Sequence, residues 1–245
     1  MCPAPVSEAP LQTPEALSQL SLFQPASDRR QEPVLIAFRR ILAAHIPEPA
    51  VPAVSGWFVD NRVKLRITRA RISKRGDFRP PRKNSIPVIS VNGTLNGYAF
   101  LITLIHEMAH FQVYDRKRRS GFLRSPQRVA PHGKEWRQQF RDSLEPFLSP
   151  QIFPDDILEA LKQHLKNPRA TSGTDPVLDR ALMRYDVPQP GIPLEDLPLG
   201  SRFTVPRGWV FRKEEKLRKR YRCLRLNDHR VFLFSPLARV VPVNS

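Results

Sequence analysis

Cysteine is almost missing from this chain: Cys2 and Cys223 are its only two, and they lie far apart. No disulfide framework and no Cys-x-x-Cys zinc site can be built from them, so the chain fits a reducing cytoplasm and any zinc falls to histidine. Long apolar runs are missing too, none approaching the ~18 residues that would span a bilayer. The opening MCPAPVSEAP lacks the basic and apolar regions of a secretory leader. Together these gaps point to a soluble, non-secreted, cytoplasmic protein with no membrane partner.

Acidic residues are the third shortage, 23 against 40 Lys+Arg, for a formal net charge of +17. Such an excess favours anionic partners, nucleic acid above all, with solvated surface as the plain alternative. The basic residues gather in three runs: ten in 62–83 against the single acid Asp77, eight in 116–137 against Glu135, and twelve in 201–245 against three acids.

What is present is the pattern H-E-x-x-H, as His106-Glu107-Met108-Ala109-His110, inside the apolar stretch 97–111. Helical positions i and i+4 share a face with Cβ atoms ~5–6 Å apart, so two imidazoles can converge on one tetrahedral ion at ~2.0–2.1 Å. Glu107 can then reach a metal-activated water and take its proton. Phe100, Leu101, Leu104, Ile105, Met108, Ala109 and Phe111 make the helix apolar on most of its circumference, which places it inside a domain. A glutamate and two histidines are costly there unless something partners them. The bland alternative is a buried helix with two core histidines.

A catalytic zinc needs a third protein ligand. Val113 and Arg116 stand where H-E-x-x-H-x-x-G-x-x-H would require glycine and histidine, so the short-spaced pattern is excluded. His132 is the best candidate, at the start of a helix whose Trp136, Phe140, Leu144 and Leu148 recur every four residues. Glu135, Glu145 and Glu159 are possible carboxylate ligands. His45 reads as a cap or surface residue, and His164 and His229 as solvated.

Along the chain, proline-rich 1–30 reads as a disordered leader with a short helical turn near 15–22. A helix over 33–42 follows, with Leu35, Phe38, Ile41 and Leu42 on its apolar face, then a short helix or approach to a sheet over 54–60. The alternation in 61–71 predicts a half-buried strand, 78–82 a strand or extended loop, and 86–91 a strand whose Pro87 requires either an edge or a place among the strand's first residues. Such an edge beside the metal helix would admit an extended peptide. Residues 115–128 read as an exposed basic loop, 155–166 and 175–185 as helices, and 202–205, 209–213, 219–226 and 231–234 as strands. In the last region Trp209, Phe211 and Tyr221 interleave with basic residues, a composition equally suited to base stacking or to a core.

HEMAH on an apolar helix, followed after a basic stretch by His132-Gly133-Lys134-Glu135-Trp136, resembles the SprT-like zinc metallopeptidases, whose pattern is HExxH and then HGxxW or HGxxF. The resemblance covers about 33–165. It implies one zinc ion on His106, His110 and His132, Glu107 as catalytic general base, and hydrolysis of protein substrates by a zinc-activated water. It also implies an α+β fold, a zincin-like domain with a small sheet packed on the HExxH helix; the strand-like segments of 190–245, read on their own, form a small β-rich C-terminal module. The expected division is a leader at 1–32, the metallopeptidase domain at 33–166, a connector with a short helix at 167–191 and a basic module at 192–245. Spartan-related members degrade proteins crosslinked to DNA, which agrees with the charge. Many members end in a zinc ribbon; this chain keeps only Cys223 and resembles bacterial, Bacteroidetes-type forms without one. The alternative is a nucleic-acid-associated regulatory protein that keeps zinc and cleaves nothing.

Overall fold

Alternation builds the first sheet. In β1 (Lys64–Thr68) Leu65 and Ile67 are half-buried and Lys64 and Arg66 face water, while Val63, just before it, is fully buried. The computed structural model describes residues 26–69, 74–82, 85–120, 132–166, 175–188, 190–205 and 208–243. The expected leader turn near 15–22 and most of the basic 115–128 loop lie outside them.

β1 runs parallel to β3 (Val88–Asn92), and β2 (Gly76–Arg79) runs antiparallel to β3, giving the order β1-β3-β2. Of the two expectations for Pro87, the edge strand is therefore corrected, because β3 is central with Ile89 and Val91 fully buried, while the proline does stand at the strand's beginning. The physical reason is register, because Pro87 stops one residue short of the strand and its carbonyl accepts the Lys64 amide at 2.9 Å. The edge beside the helix that carries His106 and His110 belongs to β2 instead.

Helices cover this sheet. α1 (Ala26–Ala43) runs through Pro33 rather than starting at it, and Ile41, expected inward, is exposed, while Phe38 stacks on Phe58 of α2 (Val51–Asp60) at 5.3 Å. α3 (Gly97–Arg119) is capped by Asn96, whose side chain accepts the Ala99 amide at 2.9 Å. It continues five residues into the stretch expected as a loop, helped by an i,i+4 pair from Arg119 to Asp115 at 2.6 Å and by basic residues at its C-terminal end. α4 (Lys134–Leu144) and α5 (Asp155–Lys166) follow.

α6 (Pro176–Met183), which falls within the expected connector, is N-capped by Asp175 and buries Leu178, Ala181 and Leu182 in the same core as α3, α4 and α5. The C-terminal sheet has its own core of Leu194, Leu197, Phe203, Phe211, Tyr221, Cys223 and Val240. Its strands β4 (Ile192–Pro193), β5 (Arg202–Thr204), β6 (Val210–Lys216), β7 (Tyr221–Arg225), β8 (Val231–Phe234) and β9 (Arg239–Pro242) lie in the order β4-β9-β5-β6-β7-β8. The class is mixed α+β. Among the described residues no helix is long and apolar enough to cross a membrane.

Candidate metal centre

The middle of α3 is buried nearly all round, with Leu101, Leu104, Ile105 and Ala109 at zero exposure, so its polar residues must find partners inside the protein. His106 and His110 point together as the i,i+4 spacing requires, their Nε2 atoms 3.2 Å apart. His132 arrives from the residues just before α4. Trp136 and Phe140, each 1% exposed and stacked on one another at 5.1 Å, fasten that helix against α3. His132 precedes the Gly133 N-cap, and its Nε2 lies 3.0 Å from that of His110 and 3.3 Å from that of His106.

These distances test whether a metal ion fits. Three nitrogens at ~2.05 Å from one tetrahedral centre must lie ~3.3 Å apart, and the observed 3.0–3.3 Å agree. Among the described residues, these three histidines are the set of potential ligands that could together hold a metal ion. The Trp136 ring packs on all three, with centroids 4.5, 5.2 and 4.7 Å away. Burial pushes His106 well below the usual 6.5, with His110, His132 and His164 adding to it. Burial and then His132 bring His110 down to about 4, and burial also lowers His132. All three are thus neutral near pH 7, the form that offers a lone pair.

Glu107 lies outside that ligand set and faces β2. Its carboxylate accepts the Phe78 amide, and a β-carbon at Gly76 would stand 2.6 Å from its Oε1 and 2.7 Å from Thr103 Cγ2. Only glycine permits this approach of strand to helix. The Asn92 amide donates to the Arg75 carbonyl at 2.8 Å. Alternation then turns the backbone groups of Gly76 and Phe78 toward the open edge, where Glu107 reaches the Phe78 amide. Burial first, and then the charge of Asp77, push Glu107 up to about 8 against the Phe78 hydrogen bond. Asp77 itself is held below its ordinary value: partial burial raises it, but hydrogen bonds from Arg79 at 2.9 Å and Lys74 at 3.0 Å win.

The other candidates separate from the site. Glu135 pairs with Lys117 at 2.5 Å, and Glu145 and Glu159 are exposed. His45 is half-buried and stacks on Phe100 at 5.0 Å; His229 is exposed in its turn with φ 55. His164, expected to be solvated, is 9% exposed, because its Nδ1 meets Asp175 Oδ2 at 2.8 Å. Two neighbours of the site escaped sequence reasoning. Gly76 carried a signal, a lone glycine opening a strand; the Arg75–Asp179 ion pair at 2.9 Å, joining partners far apart in the chain, carried none. No family model, no curated protein and no solved structure matches this chain.

Proposed function

We propose that the chain is a zinc metalloendopeptidase of the SprT-like, zincin type, acting on DNA-associated proteins. One observation carries the reading: three Nε2 atoms spaced 3.0–3.3 Å apart, with Glu107 on the same helix as two of them and free of the ligand set. Three neutral imidazoles suit zinc, which when bound would supply Lewis acidity toward a carbonyl and lower the pKa of water to ~7. Glu107 is the group that accepts the proton of the attacking water and returns it to the departing amine. A cation on the neighbouring imidazoles favours its carboxylate form, and the dry wall of β2 keeps its proton affinity high. The open edge of β2 offers an extended peptide a strand to pair with, next to that carboxylate.

Association with nucleic acid is supported by the charge of +17. It is also supported by a groove of about 500 Å³ lined by Arg116, Lys134, Arg137 and Arg141 against Glu135 and Asp142. Arg137 Nε donates to the His132 carbonyl at 3.3 Å, so this groove adjoins the histidines.

The test compares the zinc-loaded protein with Glu107→Gln on a DNA-bound protein substrate. Wild type should cleave; Glu107→Gln should hold the same zinc and cleave at least ~10²-fold more slowly. Equal inertness of the two, with zinc and DNA present, overturns the peptidase reading.

A further inference from the structure

Glu107 is held by backbone rather than by a side-chain partner, so whatever fixes the start of β2 also fixes Glu107. The residue at that start is Arg75. Its carbonyl is tied to β3 through the Asn92 amide at 2.8 Å, and its guanidinium reaches out of the sheet to Asp179 of α6, Nη1 to Oδ1 at 2.9 Å. Asp179 is 6% exposed, and the Arg75 side chain keeps about a third of its surface. A carboxylate so deeply placed is not there for surface solubility.

α6 is itself rigidly mounted. Asp175 caps its first turn by accepting the amides of Val177 and Leu178 at 3.2 and 3.3 Å with one oxygen, while its other oxygen meets His164 of α5 at 2.8 Å. The Asp179 amide bonds to the Asp175 carbonyl at 2.9 Å, and Leu178, Ala181 and Leu182 anchor the helix in the core. A continuous chain of contacts thus runs from α5 through His164, Asp175 and Asp179 to Arg75, then by one peptide bond to Gly76, whose backbone lies against Glu107.

We propose that Arg75 and Asp179 are a positioning pair for the reaction: α6 sets the open edge of β2, and β2 sets the Glu107 carboxylate. The proposal rests on the peptidase reading for its catalytic consequence, though not for its structural one. The zinc ligands stand on α3 and at the head of α4, so breaking the pair leaves the metal in place and moves the base. A displacement of the order of 1 Å in such a group costs ~10²-fold in turnover.

The experiment uses the full-length, zinc-loaded protein with Arg75→Gln, Asp179→Asn, the double variant and Arg75→Lys as the conservative control. Three results are expected: unchanged zinc stoichiometry; kcat down 10- to 100-fold with KM within about threefold; and a double variant no worse than the poorer single one, since both break one link. Arg75→Lys should recover part of the loss. Hydrogen exchange at the Phe78 amide, protected by Glu107 in wild type, should quicken in Asp179→Asn whether or not any substrate is cleaved. Wild-type exchange at Phe78 in both single variants overturns the proposal, as does an additive double variant or a wild-type kcat. If wild type cleaves nothing yet Phe78 exchange quickens, the peptidase reading fails while the link between α6 and β2 stands.

Discussion

The two halves of this molecule both bury charged or titratable groups, and they treat them in opposite ways. In the C-terminal sheet Lys213 is 2% exposed, and its ammonium donates to the carbonyls of Leu194 at 2.7 Å, Glu195 at 3.2 Å and Leu197, with the Tyr221 ring 4.0 Å away. Its three protons are spent on its own fold. Around α3 the polar groups converge instead: three half-buried imidazole nitrogens face one another, and buried Glu107 accepts a single backbone amide. A satisfied buried charge is architecture; three convergent imidazole lone pairs are a donor set that could hold a cation.

The sharpest way to break this contrast is to remove a member of the set. His106→Ala, His110→Ala or His132→Ala should each abolish stoichiometric zinc after dialysis, measured by metal analysis, and Lys213→Met should leave zinc at wild-type content. Zinc retained by all three histidine variants would end the contrast.

The next largest effect is electrostatic and belongs to the metal-free protein. Glu107 titrates near 4.5 when unperturbed and about 8 in the fold, so the folded state binds its proton more tightly. Its contribution to stability is complete below pH ~4.5 and lost as pH rises through about 8. Gln mimics the protonated form and cannot lose a proton. Metal-free Glu107→Gln should therefore match wild type near pH 4 and exceed it by a few kcal/mol at pH 9, at roughly 1.4 kcal/mol per unit of pKa separation. Chemical denaturation at the two pH values reads it; a gap independent of pH would show that Glu107 is not desolvated.

Much of the metal side of this contrast was legible in sequence, and little of the other. The spacing of His106 and His110 and the apolar circumference of α3 are local properties, and Trp136 and Phe140 recur on one face of α4, so His132 could be placed. Pattern and turn residues also give the strands of the C-terminal sheet, apart from β4 and β9. Alternation puts Lys213 on the same face as Phe211, a conflict that local reasoning cannot resolve. The carbonyls that satisfy Lys213 lie 16 to 19 residues earlier, in a turn with no sequence mark of that role. The burial of His164, the central place of β3 and the docking of α6 were hidden for the same reason, being settled by partners that only folding brings near.

On the satisfied side the effects are on stability alone, and they should be smaller. Lys213→Met takes the ammonium from three carbonyls, of which that of Leu194 keeps the Leu197 amide at 3.2 Å. With ~1–3 kcal/mol for a stranded buried group and some relief from lost desolvation, a net cost of about 3 kcal/mol is expected in thermal or chemical unfolding.

Trp209 is the gentlest probe and the one that bears on nucleic acid. Of the three aromatics suited in composition to stacking on bases, Phe211 and Tyr221 are 1% and 8% exposed and belong to the core. Trp209 keeps 39% of its surface, but the Arg225 guanidinium lies 4.6 Å from its ring, held there by Asp228 and flanked by Phe232 at 4.8 Å. If this stack is architecture like Lys213, Trp209→Ala costs about 1 kcal/mol of stability and leaves oligonucleotide affinity at low salt within twofold of wild type. Had the ring been a base platform, the loss in affinity would be ~1–3 kcal/mol with stability hardly changed. Fluorescence anisotropy with a single-stranded oligonucleotide, read beside chemical unfolding of the same variant, separates the two outcomes.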